Sequence, residues 1–251
     1  LVDPPQFHVS AVIQFGTANV FSYLHTVTND DNALLLLLID GLAAFLIWTS
    51  IYLPLVCVAL MAWILSSSNR RQRWHDVHGS VCGLLTALGL SEAATISLKL
   101  YIQRRRPNFY ALCGWSNELL RCTAPLEKLR DANFSFPSGH SSLSSCAMTY
   151  LAWFLLSKVV AARGPRWLAL ASCALPGAWT AFVGASRLVD NWHHPSDVVA
   201  GLILGSLCST AAFHTWYPPV WSGVSGLAGV VVGLPWSLQT TEVAKLPSFS
   251  E

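Results

Sequence analysis

Eight residues from three stretches of this 251-residue chain carry groups suited to work on a phosphoryl centre. His193 and Asp197 are four apart, around a helix start that Pro195 favours. A carboxylate there can hold an imidazole by one ring nitrogen and leave the other free to attack. His140 is a second imidazole at a helix N-terminus, placed to act as a general acid. Ser138 and Gly139 just before it offer a hydroxyl and backbone N–H groups, where the helix dipole favours an anion. Lys99 and Arg106 are seven apart, two turns down one helix face, and Arg187 adds a third cation. Such a set suits nucleophilic attack on phosphorus, because the charge that develops there needs positioned donors.

Each piece also has a plainer explanation. A Lys and an Arg at the end of a membrane helix commonly snorkel to headgroups. Pro137-Ser138-Gly139 is an ordinary helix start. His193, His194, Asp190 and Asp197 could make a metal site, although His-His-x-x-Asp is a weak pattern for one. The chemical reading prevails because all three clusters fall on one side of the helices that must carry them.

Those helices are membrane spans. Only 11% of the residues are charged, against roughly 25% in a soluble domain. No formal charge occurs at 4–29, 41–69, 132–157, 167–186 or 198–241, and each window can hold the ~20 residues of a membrane-crossing helix. This excludes a soluble enzyme, a disordered chain and a nucleic-acid binder, and the net charge of +2 points to no polyanionic partner. Helices are predicted near 41–65, 77–103, 138–160, 167–186 and 196–216, with 9–28 a weaker sixth. Ala33–Ile39 leads into the first, and Pro54 should kink it. Glu92 lies mid-span and should face the bundle. Trp63, Trp74, Trp115, Trp167, Trp192 and Trp216 fall at span ends, as interface anchors do. Gly201 and Gly205 have the spacing of close helix packing, with a dimer face and hence a homo-oligomer as the alternative. The apolar tail at 221–236 should lie at the interface. The expected fold is all-α, a polytopic bundle of about six helices forming one domain over 1–251. With alternating helices, 104–137 and 187–195 emerge on one face, and 66–76, 161–166 and the C-terminus on the other.

The three clusters resemble the signature of the type 2 phosphatidic acid phosphatase superfamily, the lipid phosphate phosphatases. K-x6-R-P appears as Lys99 to Arg106-Pro107, P-S-G-H as Pro137–His140, and S-R-x5-H-x3-D as Ser186-Arg187 through His193 to Asp197. The match covers about 99–197 with the bundle around it. The resemblance implies a haloperoxidase-like helical core and a phosphohistidine formed on His193, oriented by Asp197. His140 would protonate the leaving group and then activate water. Lys99, Arg106, Ser138, Gly139 and Arg187 would hold the phosphate. It implies no cofactor and no metal, three cations taking the place of magnesium, and a lipid phosphate in the bilayer as substrate. The family's usual core has six membrane helices, so the first is expected at 9–28 or lies upstream of Leu1. Vanadium haloperoxidases share the signature but are soluble, which the hydropathy excludes. Broad-specificity lipid phosphate phosphatases fit His193-His194 and Arg106–Phe109 best. Phosphatases of isoprenoid diphosphates, sphingoid-base phosphates or sugar phosphates, and a non-catalytic phospholipid-binding protein, remain as alternatives.

The face opposite these residues carries six cations, Arg70, Arg71, Arg73, Lys158, Arg163 and Arg166. The near face keeps five beyond those assigned to phosphate: Arg104, Arg105, Arg121, Lys128 and Arg130. The positive-inside rule then places the signature on the lumenal or extracellular side, by a narrow margin. Cys113 and Cys122 share the near-side loop and would bridge if that side is oxidising. Asn133-Phe134-Ser135 is a glycosylation sequon, expected to be unused because a glycan there would crowd Pro137 and the residues after it.

Overall fold

In a computed structural model, residues 31–65, 70–161 and 163–217 are described. The predicted stretches at 9–28 and 221–236 lie outside them. The chain divides into two compact units, 1–46 and 47–251, where the sequence reads one domain; the signature region 99–197 lies wholly in the second.

Five long helices occur among the described residues: α1 (Asp31–Leu65), α2 (Arg70–Ile102), α5 (Gly139–Ala161), α6 (Arg166–Val189) and α7 (Pro195–Trp216). Each contains a stretch long and apolar enough to cross a membrane, within a few residues of the windows read from the sequence. The differences are at the ends. Helix α1 absorbs the Ala33–Ile39 lead-in, and α2 starts at Arg70, a polar turn and more before its span begins at Asp76. Helix α6 runs on to Val189, so Arg187 sits in its last turn rather than in a loop. Pro54 and Pro176 both lie inside helices.

Between α2 and α5 the chain makes two short helices, α3 (Phe109–Leu112) and α4 (Leu126–Asp131), around strands β1 (Trp115–Ser116) and β2 (Arg121–Cys122). The strands pair antiparallel, Trp115 opposite Cys122 and Ser116 opposite Arg121. A disulfide joins Cys113 to Cys122, whose Cα atoms are 5.1 Å apart.

Helix α5 is the centre of the bundle, packing on α2, α6 and α7. Away from the signature end, its contact with α7 is aromatic. Tyr150 meets Phe213 edge-on at 5.5 Å, and Phe213 stacks on Tyr217 at 4.7 Å. Val58, Ala62, Leu84, Ala87 and Phe154 complete that core. Exposed Trp48, Leu53, Leu60, Leu175 and Leu207 are what a lipid-facing surface presents.

Toward the signature end the same two helices meet through small residues. A Cβ on Gly201 would lie 2.6 Å from the Ser138 carbonyl oxygen, and one on Gly205 would collide with the Ser142 carbonyl and reach within 2.8 Å of the Cys146 nitrogen. Ser145 Oγ donates to the Leu202 carbonyl at 2.7 Å. Backbone thus lies against backbone, as small residues permit in membrane bundles. Glycine is required at 205. Gly205→Ala should therefore destabilise the bundle by about 1–3 kcal/mol and lower turnover, because α5 opens with Gly139 and His140 and α7 carries Asp197 in its first turn. Gly177, where a Cβ would meet nothing within 4 Å, is the control. Thermal unfolding in detergent should separate the two alanine variants; equal midpoints would contradict this packing.

Candidate active site

The C-terminal ends of α2 and α6 and the N-terminal ends of α5 and α7 lie at one end of the bundle, and the three clusters meet there. Lys99 lies in the last turn of α2 and donates from Nζ to the Phe134 carbonyl at 2.9 Å. Its Cε would be 3.9 Å from a Cβ on Gly139, so the first cluster lies directly over the second. Arg106 follows the end of α2 and is held along one edge, Nε to the Asp131 carbonyl at 2.9 Å and Nη2 to Asp131 Oδ1 at 2.7 Å. Its guanidinium also covers the Trp192 ring at 4.7 Å. Trp192 is therefore a platform for Arg106, a role beyond the interface anchoring read from its position. Burial lowers the pKa of Arg106 and the Asp131 carboxylate opposes that, so the group stays cationic.

Arg187 is buried and similarly clamped. Its Nε donates to Ser186 Oγ at 3.1 Å and its Nη2 to Asp190 Oδ2 at 2.9 Å. A buried guanidinium held by its outer edge is a fixed cation, suited to a phosphate oxygen.

Ser138 precedes α5 after a cis Phe136–Pro137 bond. Its N–H donates to the Asp197 carbonyl at 3.0 Å, joining the second and third clusters through backbone. Its Oγ accepts from Ser141 Oγ at 3.0 Å and from the Ser141 N–H at 3.4 Å. The helix-start role seen in the sequence is real, and it still leaves the hydroxyl proton for a ligand. His140 stands in the first turn of α5, within electrostatic reach of Arg187, Arg106 and Lys99.

His193 is buried and donates from Nδ1 to the Ser135 carbonyl at 2.8 Å. A carbonyl can only accept, so the proton sits on Nδ1 and Nε2 keeps its lone pair. The pKa of His193 is pushed down to about 2, first by burial and then by Arg106, Lys99 and His140, against the opposing bond to Ser135. Burial beside these cations favours the neutral imidazole.

Asp197 does not hold that imidazole directly; its Oδ2 lies 3.9 Å from His193 Nδ1. Oδ2 accepts instead from Ser135 Oγ at 2.5 Å and from the His194 N–H at 2.9 Å, and Oδ1 accepts from Arg104 Nη1 at 2.6 Å. The reason is local: Asp197 is the third residue of α7 and caps its N-terminus, which turns one oxygen toward the His194 backbone.

Sequence reasoning misses four participants. Arg104 reads there as a loop cation, Ser135 only as the end of a sequon, Asp190 only as part of the alternative metal set, and Asp131 is not singled out. The run Arg104–Arg106 is the one signal that more than a single arginine matters there. His194 Nε2 meets the Arg105 carbonyl at 3.1 Å, and Asp190 pairs with Arg187, so the alternative metal set is dispersed. Among the described residues, no three His, Cys, Asp or Glu side chains group as metal ligands. Asn133 donates to the Leu129 carbonyl at 2.8 Å, while Ser135, the third sequon residue, is fully buried.

A family model described as the PAP2 superfamily matches residues 80–221. Lipid phosphate phosphatase 1 of Arabidopsis thaliana is 34% identical over 152 residues, 57% of this chain and 46% of that protein. Lipid phosphate phosphatase 2 of the same plant is 31% identical over 176 residues, 66% of this chain and 61% of that protein. A probable diacylglycerol pyrophosphate phosphatase 1 of Schizosaccharomyces pombe is 27% identical over 191 residues, 67% of this chain and 65% of that protein. The matches thus span about half to two thirds of these relatives. A transmembrane PAP2-type phosphatidylglycerolphosphate phosphatase from Bacillus subtilis aligns over 81% of this chain and 89% of its own, at 23% identity and a TM-score of 0.46. With its three clusters converging as described and more than half its length matched by the family model, the chain belongs to the PAP2 superfamily.

Proposed function

We propose that the protein is an integral-membrane phosphatase that hydrolyses lipid phosphates through a phosphohistidine on His193. One observation carries this: a buried imidazole whose Nδ1 proton goes to the Ser135 carbonyl, leaving the Nε2 lone pair free beside the cations Lys99 and Arg106, with Arg187 acting on the neighbouring His140. In the proposed reaction Nε2 attacks phosphorus and the bond to the lipid alcohol breaks. His140 gives that alcohol its proton. His140 then takes a proton from water, which displaces His193 from phosphorus and releases phosphate. Lys99, Arg106, Arg187, the Ser138 hydroxyl and the Gly139 N–H would hold the non-bridging oxygens, where charge grows in each transition state.

The membrane spans and the names of its relatives support a lipid substrate such as phosphatidate, lysophosphatidate or diacylglycerol diphosphate. We also place the site on the lumenal or extracellular side, which the Cys113–Cys122 bridge and the balance of loop cations favour. On this account Asn133 stays unglycosylated.

The test is phosphate release by the purified protein from phosphatidate in mixed micelles with EDTA present. Turnover undiminished by chelation is expected, since three cations supply the charge a metal would. Activity lost in EDTA and restored by magnesium would overturn the mechanism. Phosphatidate binding without release would instead favour the non-catalytic lipid-binding alternative.

A further inference from the structure

We infer that Ser135 is the positioning residue through which Asp197 controls His193. Ser135 lies one residue before Phe136 and Pro137, is fully buried, and uses all three of its polar groups. Its N–H donates to the Arg104 carbonyl at 2.9 Å, its Oγ–H to Asp197 Oδ2 at 2.5 Å, and its own carbonyl accepts from His193 Nδ1 at 2.8 Å, with Oγ itself 3.5 Å from the same Nδ1. The preceding carbonyl, on Phe134, holds Lys99. Two consecutive peptide oxygens therefore set the positions of the nucleophile and of one phosphate-binding cation. The Ser135 hydroxyl ties that short segment to α7.

The carboxylate is otherwise committed. Asp197 is wholly buried and accepts from the His194 N–H and from Arg104 as well as from Ser135. At 3.9 Å its nearer oxygen makes no hydrogen bond to the imidazole. The Arg104 guanidinium, 2.6 Å from Oδ1, also offsets the charge Asp197 could otherwise exert on an imidazolium. What remains for Asp197 is placement: it fixes the Ser135 hydroxyl, and so fixes the peptide whose oxygen selects the Nδ1–H tautomer.

This inference rests on the phosphohistidine reading and adds to it a specific coupling. Ser135→Ala keeps the carbonyl but removes its hydroxyl tie to the Asp197 carboxylate. It should lower kcat by about 10–100-fold, the range seen when an outer partner that orients a histidine is removed. KM and the inhibition constant for inorganic phosphate should each stay within about twofold, because Ser135 touches no phosphate oxygen. In a cycle with Asp197→Asn, the double variant should lose little beyond Asp197→Asn alone, since both act along one path. If Ser135→Ala does not yield folded protein, Ser135→Cys replaces it, keeping the shape and weakening the donor, with the same expected loss.

Wild-type kcat in Ser135→Ala or Ser135→Cys would overturn the inference. So would losses that multiply in the double variant, which would mean that Asp197 acts on His193 independently. Wild-type protein in the same preparation separates the two levels. Its turnover with an unaffected Ser135 variant strikes this inference alone. Its own inactivity strikes the phosphatase reading, and with it any role in positioning.

Discussion

His193→Ala is expected to lower kcat by about 10⁵–10⁶, the scale on which a covalent catalyst fails when its nucleophile is removed. The size follows from the absence of a substitute. His194 is next in sequence, but its Nε2 is committed to the Arg105 carbonyl. His140 lies in the same pocket, but on the proposed path it handles the leaving group and cannot take both roles at once. Binding should survive, because Lys99, Arg106 and Arg187 are each fixed by partners other than His193. The variant leaves the Ser135 carbonyl without its donor, which costs about 1–3 kcal/mol of stability. Kinetics should therefore be read on protein whose thermal unfolding is still cooperative. Inhibition by inorganic phosphate, assayed as protection against thermal unfolding, would report that the pocket persists. A His193→Ala protein with more than a hundredth of wild-type kcat would mean that the nucleophile lies elsewhere.

Arg187→Ala should follow, with kcat lower by about 10²–10³, as for loss of a single charged donor to a transition state. Two features put Arg187 at the upper end of the three cations. It is 2% exposed, so water cannot easily replace its charge, and Asp190 with Ser186 holds its orientation without any ligand. Its removal also leaves Asp190 with a partly buried carboxylate and no cation. Arg187→Lys should recover only part of the loss, because an ammonium cannot answer Asp190 and a phosphate oxygen through one planar fork. Steady-state kinetics on phosphatidate decides it. A loss in kcat below about tenfold, or full recovery by Lys, would remove Arg187 from the phosphate-binding set.

The spans were legible because membrane hydropathy is a long, one-dimensional signal. Five windows of ~20 apolar residues need no tertiary information to be read. The residues proposed to hold phosphate were legible for a related reason, since a charge or an imidazole at the end of such a window has few uses. Other features depend on how separate segments meet. Ser135 gains its role only when the segment before Pro137 runs between Arg104 and Asp197, and nothing in Asn133-Phe134-Ser135 announces that path. The i,i+4 spacing of His193 and Asp197 did bring them together. It could not reveal that capping α7 turns the carboxylate toward the His194 N–H and leaves 3.9 Å to the ring. Trp192 resembles the other span-end tryptophans until Arg106 is seen over its face. The hairpin between Cys113 and Cys122 was invisible for a plainer reason: two strands of two residues each carry no periodicity to detect.

The proposed mechanism requires a covalent bond between phosphorus and His193, and that bond can be sought directly. Purified protein mixed with phosphatidate labelled with ³²P in the headgroup phosphate, then quenched within its first turnovers in alkali, should carry label on the protein. Phosphohistidine survives alkali and is lost in acid, so the label should resist base, disappear on mild acid treatment, and map to the peptide containing His193. His193→Ala, matched for folded protein, should carry none. Label that is absent from wild type during active turnover, or that remains on the His193→Ala protein, would contradict the phosphohistidine.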